Sequence, residues 1–289
     1  MSESHPIHRQ WVSSDINFLD QWRRLIDDVA FNENIALSLI HMGYKDIGFL
    51  EILTEYVAVH GKMALARFLV GESDPPMIPK WLMNAGLVQS SLSGHLDLVQ
   101  LFVNRGADVA HDSDAPVCLA AKFGWESVVS FLLESGADVN ADSGHPLCWA
   151  ARNGSRSIVL LLLHSGANPN VRNGCPLSWA SEYGKSDVVQ ILIDAGADLH
   201  LNEDYALRWG SVKGHGQVVR ILLENGANVH AMQDFSLRNA VKFKNAHVVK
   251  ILLEHGADLH AENDEAIKWA LVNGDSRILS LLKPYMSQN

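Results

Sequence analysis

His200, His230 and His260 recur at a spacing of 30 residues, and three imidazoles would make a metal-ligand set if they converged. Stacked repeats keep them apart. Packed helices sit about 8–10 Å from one another, whereas a zinc–nitrogen bond is about 2 Å long. The spacing therefore assigns these histidines to hydrogen bonds within loops, at a position that Asn140 and Asn170 fill in earlier units. Cys118 and Cys148 are also one period apart and read as packing thiols, while Cys175 falls in a loop. A nucleophilic thiol needs a base and an orienting group, and no repeat-independent His/Asp set accompanies Cys175. HExxH, Gly-x-Ser-x-Gly, phosphate-loop and dinucleotide signatures are all missing from the sequence. The expectation is a protein that is not an enzyme and needs no cofactor or metal.

The elements that position these residues are set by a stricter mark. Gly-Ala-Asp or Gly-Ala-Asn begins at Gly106, Gly136, Gly166, Gly196, Gly226 and Gly256, always 30 residues apart. A fixed period of this size means stacked supersecondary units. Each unit holds two apolar segments, as in Pro146 to Asn153 and Ser155 to Ser165. The first is rich in small residues (Ala150, Ala151) and ends at Gly154, a residue that tolerates the left-handed conformation closing many helices. The second carries Ile158, Val159, Leu162 and Leu163 as a one-sided stripe. Nine residues, Ala167 to Cys175, link it to the next unit and contain the turn pair Asn173-Gly174. Neither helix can bury its stripe alone, so the units must stack.

The skeleton Pro146-Leu147-x-x-Ala150-Ala151-x-x-Gly154, followed by Leu162-Leu163-x-x-Gly166-Ala167-Asn168, resembles the ankyrin repeat. The same skeleton recurs from Pro116 and from Pro176, and the resemblance covers roughly residues 80–283. The usual ankyrin period is 33, so the 30-residue unit is short in its loop, and its hairpin fingers should be stunted. This short form is similar to repeats common in giant-virus and amoeba-associated ankyrin proteins. The resemblance implies an all-α, ankyrin-type α-solenoid of about seven helix–turn–helix units with shortened loops. Residues 1–78 read as a helical N-terminal cap, with a degenerate repeat near 52–71. Residues 79–289 read as the array, ending in a C-terminal capping unit at 266–283.

The resemblance also implies a scaffold that binds a protein partner on its concave helix face and loop tips. At the variable positions of that face stand Phe123, Arg152, Tyr183, Lys213 and Phe243, with Tyr205 and Phe235 nearby. Exposed aromatics are typical interface anchors. The alternative is a targeting adaptor or effector whose N-terminal region carries a separate activity. Trp149, Trp179, Trp209 and Trp269 share one position and read as a packing seam between first helices. Asp204/Arg208, Asp234/Arg238 and Asp264/Lys268 read as i,i+4 pairs, in which the acid caps the first helix and faces its cation. Asn140 corresponds to the position that asparaginyl hydroxylase modifies in ankyrin repeats, which makes it a candidate modification site.

The bulk properties agree with such a scaffold. The 289 residues are 47% hydrophobic and carry a net charge of −10, with a pI near 5.7. Nucleic-acid binding needs a clustered basic face, so no nucleic-acid partner is expected. The apolar run from Ile158 to Leu163 is too short to span a bilayer. Three cysteines without a CxxC pair suit a reducing compartment. With a polar N-terminus, the reading is a monomeric cytoplasmic or nuclear protein without a membrane partner.

Overall fold

A computed structural model describes residues 46–71 and 77–286. Residues 1–45 and 72–76, and with them most of the expected N-terminal cap, lie outside the described residues. Two compact units are present, divided between Ala137 and Asp138. In the first, helix pairs follow one another: α1 (Ile47–His60) and α2 (Met63–Val70), α3 (Lys80–Ser93) and α4 (Leu96–Asn104), α5 (His111–Phe123) and α6 (Glu126–Glu134). The second unit holds α7 (Ala141–Asn153), α8 (Arg156–His164), α9 (Val171–Glu182), α10 (Ser186–Asp194), α11 (Leu201–Lys213) and α12 (Gly216–Glu224). It continues with α13 (Ala231–Lys242), α14 (Ala246–Glu254), α15 (Ala261–Asn273) and α16 (Ser276–Leu282). Within each unit the first helices pack side by side in one row and the second helices in another. Among the described residues there is no strand.

The core lies between the two rows. Val188, Val189 and Leu192 of α10, like Val218, Val219 and Leu222 of α12, are buried at the spacing expected of a one-sided stripe. Ile158, Val159 and Leu162 repeat this on α8, while Leu163 is half-buried. Facing them are the small residues Ala150, Ala151, Ala180, Ser181 and Ser211, all buried, which let neighbouring first helices approach closely. Successive units are also tied by polar caps. His215 Nε2 donates to the Glu182 carbonyl at 3.0 Å, and Asn245 Nδ2 donates to the Ser211 and Val212 carbonyls at 3.0 and 2.9 Å. Each ties the start of a second helix to the C-terminal carbonyls of the previous first helix, groups that otherwise lack helical partners.

The linkers are shorter than a stunted finger. In place of a hairpin, each first helix from α5 onward is entered through three consecutive left-handed residues, such as Asn202, Glu203 and Asp204 at φ 54, 56 and 55°. This makes one turn of left-handed helix, closed by a bond such as Asp204 N to the His200 carbonyl. A non-glycine residue in this conformation costs about 1–2 kcal/mol, so the turn needs compensation. Two chemical solutions appear in residues 138–289. In the first, glycine takes the third position (Gly144, Gly174). The asparagine four residues earlier then accepts the next unit's backbone: Asn140 Oδ1 from Asn168 N at 3.2 Å and Asn170 Oδ1 from Asp198 N at 2.8 Å.

In the second solution aspartate replaces the glycine and histidine replaces the asparagine. Asp204 Oδ1 accepts from Asn228 N and Asp234 Oδ1 from Asp258 N, both at 2.8 Å. His200 and His230 face those carboxylates through Nδ1 at 3.2 Å. The cation four residues on clamps the turn itself: Arg208 donates to the Asn202 and Glu203 carbonyls, Arg238 to those of Met232 and Gln233. The expected Asp/Arg i,i+4 ion pairs are therefore absent from these sites. The left-handed turn aims each carboxylate at the next unit and each guanidinium at its own carbonyls.

Candidate functional site

In residues 138–289 the first helices expose one face, because the opposite face of each packs on the second helices. Arg152 on α7 packs against three rings of this face. Its guanidinium carbon lies 4.6 Å from the Tyr183 ring centre, 5.1 Å from Trp149 and 5.9 Å from Trp179. Arg152 Nη2 also donates to the Tyr183 hydroxyl at 2.9 Å. Trp149 and Trp179 touch each other, with ring centres 5.2 Å apart. Guanidinium over aromatic faces is an attractive arrangement that also fixes the side chain's direction.

The pattern continues along the row. Lys213 sits 5.8 Å from the Trp209 ring centre and pairs with Glu182 at 3.6 Å. Arg208 lies between the rings of Tyr205 and Phe235, at 5.7 and 5.2 Å. Lys242 approaches Trp269 to 4.6 Å and Phe243 to 5.9 Å. Glu265 accepts from Trp269 Nε1 at 3.2 Å and pairs with Arg238, whose hydrogen bond holds its carboxyl below the usual range. Burial, then the nearby Glu182 carboxylate, raises the Tyr205 phenol, so it stays a neutral donor at pH 7.

Each expected partner-binding residue has a definite place. Tyr183 and Phe243 are 44% and 53% exposed, so neither ring belongs to the core. Arg152 and Tyr183 come together directly, and Tyr205 and Phe235 are joined through Arg208. Phe123 is 49% exposed in the other compact unit, beside Lys122. The tryptophan row agrees with expectation in part: Trp149 and Trp179 touch across successive first helices, while all four, Trp149, Trp179, Trp209 and Trp269, are half-buried and also form the floor beneath these cations. The small residues beside them fill the inner part of the helix–helix seam, leaving the indoles at its outer edge. The overlooked signal was a cation three or four positions after an aromatic, as in Trp149/Arg152, Tyr205/Arg208 and Trp209/Lys213.

Two further features flank this face. A shallow cleft of about 230 Å³ is lined by Arg172, Asn173, Cys175, Ser178, Trp179, Asn202 and Tyr205. Cys175, expected in a loop, lies within α9 just after its left-handed turn. Its thiol is hydrogen-bonded to Cys148, which lowers Cys175 and, with burial, raises Cys148. Asn140, the candidate hydroxylation site, is half-buried and holds the Asn168 amide. Among the described residues no three His, Cys, Asp or Glu side chains form a metal site, and no helix is long and apolar enough to cross a membrane.

Comparison with known proteins agrees with this construction. Models of the ankyrin repeat match residues 82–173 as three copies and residues 175–204 and 237–264 as further repeats. The crystal structure of the human ASB11 ankyrin repeat domain superposes with a TM-score of 0.62 at 25% identity, over 68% of this chain and 96% of that one. No curated protein sequence matches the chain. The paired helices, their glycine-closed first members and the family matches across successive repeats have one common explanation: the chain belongs to the ankyrin repeat family, a class of protein–protein interaction modules.

Proposed function

We propose that the chain is a non-enzymatic scaffold that holds a protein partner on the first-helix face, chiefly through Arg152, Tyr183, Lys213, Tyr205, Phe235 and Phe243. Phe123 offers a like contact on the first unit. The observation carrying this reading is the Arg152 cluster, where one cation is fixed by three rings and a hydroxyl before any partner arrives. Side chains already ordered lose little freedom on binding, and that saving favours affinity. Half-exposed tyrosine, phenylalanine and arginine are the residue types that dominate interface energetics. Cys118, Cys148 and Cys175 form no disulfide, which suits a reducing compartment, cytoplasmic or nuclear. Asn140 remains our candidate for hydroxylation, a change at its Cβ that leaves the Oδ1 bond to Asn168 in place.

Photo-crosslinking tests the assignment of the face. A crosslinking amino acid at Tyr183 should capture a partner from cells, and one at Gln190 on the second-helix row should not. Capture from Gln190 alone would remove the first-helix face from consideration.

A further inference from the structure

Charge in residues 138–289 is segregated by helix row. The first-helix segments (145–153, 175–183, 205–213, 235–243 and 265–273) hold six cations and two carboxylates, whereas the remainder holds eight cations and fourteen carboxylates. Both first-helix carboxylates are already engaged, Glu182 by Lys213 and Glu265 by Arg238. A protein of net charge −10 thus carries a basic, aromatic strip along one face. We infer that this strip takes an acidic peptide segment in which carboxylates alternate with apolar side chains. The inference rests on the first-helix face being the binding surface and adds the chemistry of what binds there.

The geometry matches that occupant. Arg152, Arg208, Lys213 and Lys242 each sit over a ring, so an incoming carboxylate meets a charge of fixed direction, while apolar side chains meet exposed Tyr183 and Phe243. Neighbouring first helices lie about 8–10 Å apart and an extended chain advances about 3.3 Å per residue, which places about three peptide residues over each unit. Arg152 and Lys213 are two units apart and Lys242 one more, so carboxylates about six and then about three residues apart would reach all three. Carboxylates outside the strip outnumber those within it by fourteen to two, which disfavours a polyphosphate chain that cannot shed its charge on leaving the strip.

The test uses the full chain and a fluorescein-labelled twelve-residue peptide alternating glutamate with phenylalanine. Control arms are its glutamine counterpart, its lysine counterpart and a twelve-nucleotide oligothymidylate, all followed by fluorescence polarisation. The acidic peptide should bind at least about tenfold more tightly than either counterpart, with affinity falling as salt rises. Arg152→Gln with Lys242→Gln should cost about tenfold, Arg152→Lys less, and Lys250→Gln on the second-helix row nothing, with circular dichroism confirming that each variant is folded. Equal binding of the glutamine peptide, or indifference to Arg152→Gln with Lys242→Gln, overturns the charge inference and leaves the face assignment standing. Tighter binding of the lysine peptide or the oligothymidylate overturns it in favour of another occupant. If no probe binds, the inference also falls, and crosslinking from Tyr183 still decides the face.

Discussion

His230→Asn together with Asp234→Gly would rebuild one left-handed turn with the chemistry of its neighbours at Asn140/Gly144 and Asn170/Gly174. Asp234 is 3% exposed and accepts the Asp258 amide at 2.8 Å. A hydrogen bond to a charged acceptor contributes about 1.5–3 kcal/mol, and Asp258 is partly wet, so the lower end applies. Asp234→Gly alone forfeits that bond together with the His230 contact of about 0.5 kcal/mol, and regains about 0.5 kcal/mol from relief of the positive φ, net of the chain entropy of glycine. The expected loss is about 1.5 kcal/mol. His230→Asn alone removes the contact to the carboxylate and gains nothing, because Asp234 already holds the amide; about 0.5 kcal/mol should be lost. In the double variant the asparagine carboxamide takes over the amide, as Asn170 does for Asp198, and the total loss should be about 0.5 kcal/mol. The singles sum to about 2 kcal/mol, so the coupling is about 1.5 kcal/mol, well above the few tenths that mark independent sites. Urea unfolding of the four proteins, followed by tryptophan fluorescence and circular dichroism, measures it. Additive losses would refute the claim that the two residue pairs are interchangeable solutions to one problem.

Other consequences are smaller in scope. Lys244 stands at φ 62° where the other units close the first helix with glycine, so Lys244→Gly should stabilise the protein by about 0.5–1 kcal/mol in urea titration. The converse change, Gly214→Ala, combines φ 80° with a Cβ only 2.7 Å from Asn245 Oδ1 and should cost about 1–3 kcal/mol in the same assay. Timed alkylation with mass spectrometry should label Cys175 before Cys148, since their shared hydrogen bond lowers the first and raises the second; the reverse order would refute the contact. The hydrogen bond to Asp264 raises His260 above its ordinary value of 6.5. Its stabilising contribution is therefore complete below about 6.5 and fades as pH rises through the raised value. NMR titration of the imidazole should show the raised midpoint in the wild type and its loss in Asp264→Asn.

The helices were legible because their signals are local. The stripe of Ile158, Val159 and Leu162 and the glycine after each first helix lie within one unit and need no partner to be read. The linker was harder, since nothing in Asn202-Glu203-Asp204 announces three left-handed residues without glycine. What stabilises them comes from Arg208 and from the amide of Asn228, 24 positions away. Two periodic rows, Asn/His and Gly/Asp, were visible separately. Their exchange in step was the clue that they form one device. The site was half legible for a similar reason. Variable positions picked out Arg152, Tyr183 and Phe243, but helical phase alone could not show that the tryptophans, set beside buried alanines, would lie at the outer edge of the seam.

The left-handed turns leave the linkers no slack. Each turn spends its few residues on one closing bond and on one bond to a fixed amide of the following unit, so a single inserted residue would break both. Length in such a chain is therefore counted in whole units. The array can grow or shrink by 30-residue steps, as a ruler does by its graduations, while chemical variety is confined to substitutions on the helix faces. A partner that reads Arg152, Lys213 and Lys242 meets charges whose separation along the row is a matter of arithmetic rather than of loop conformation.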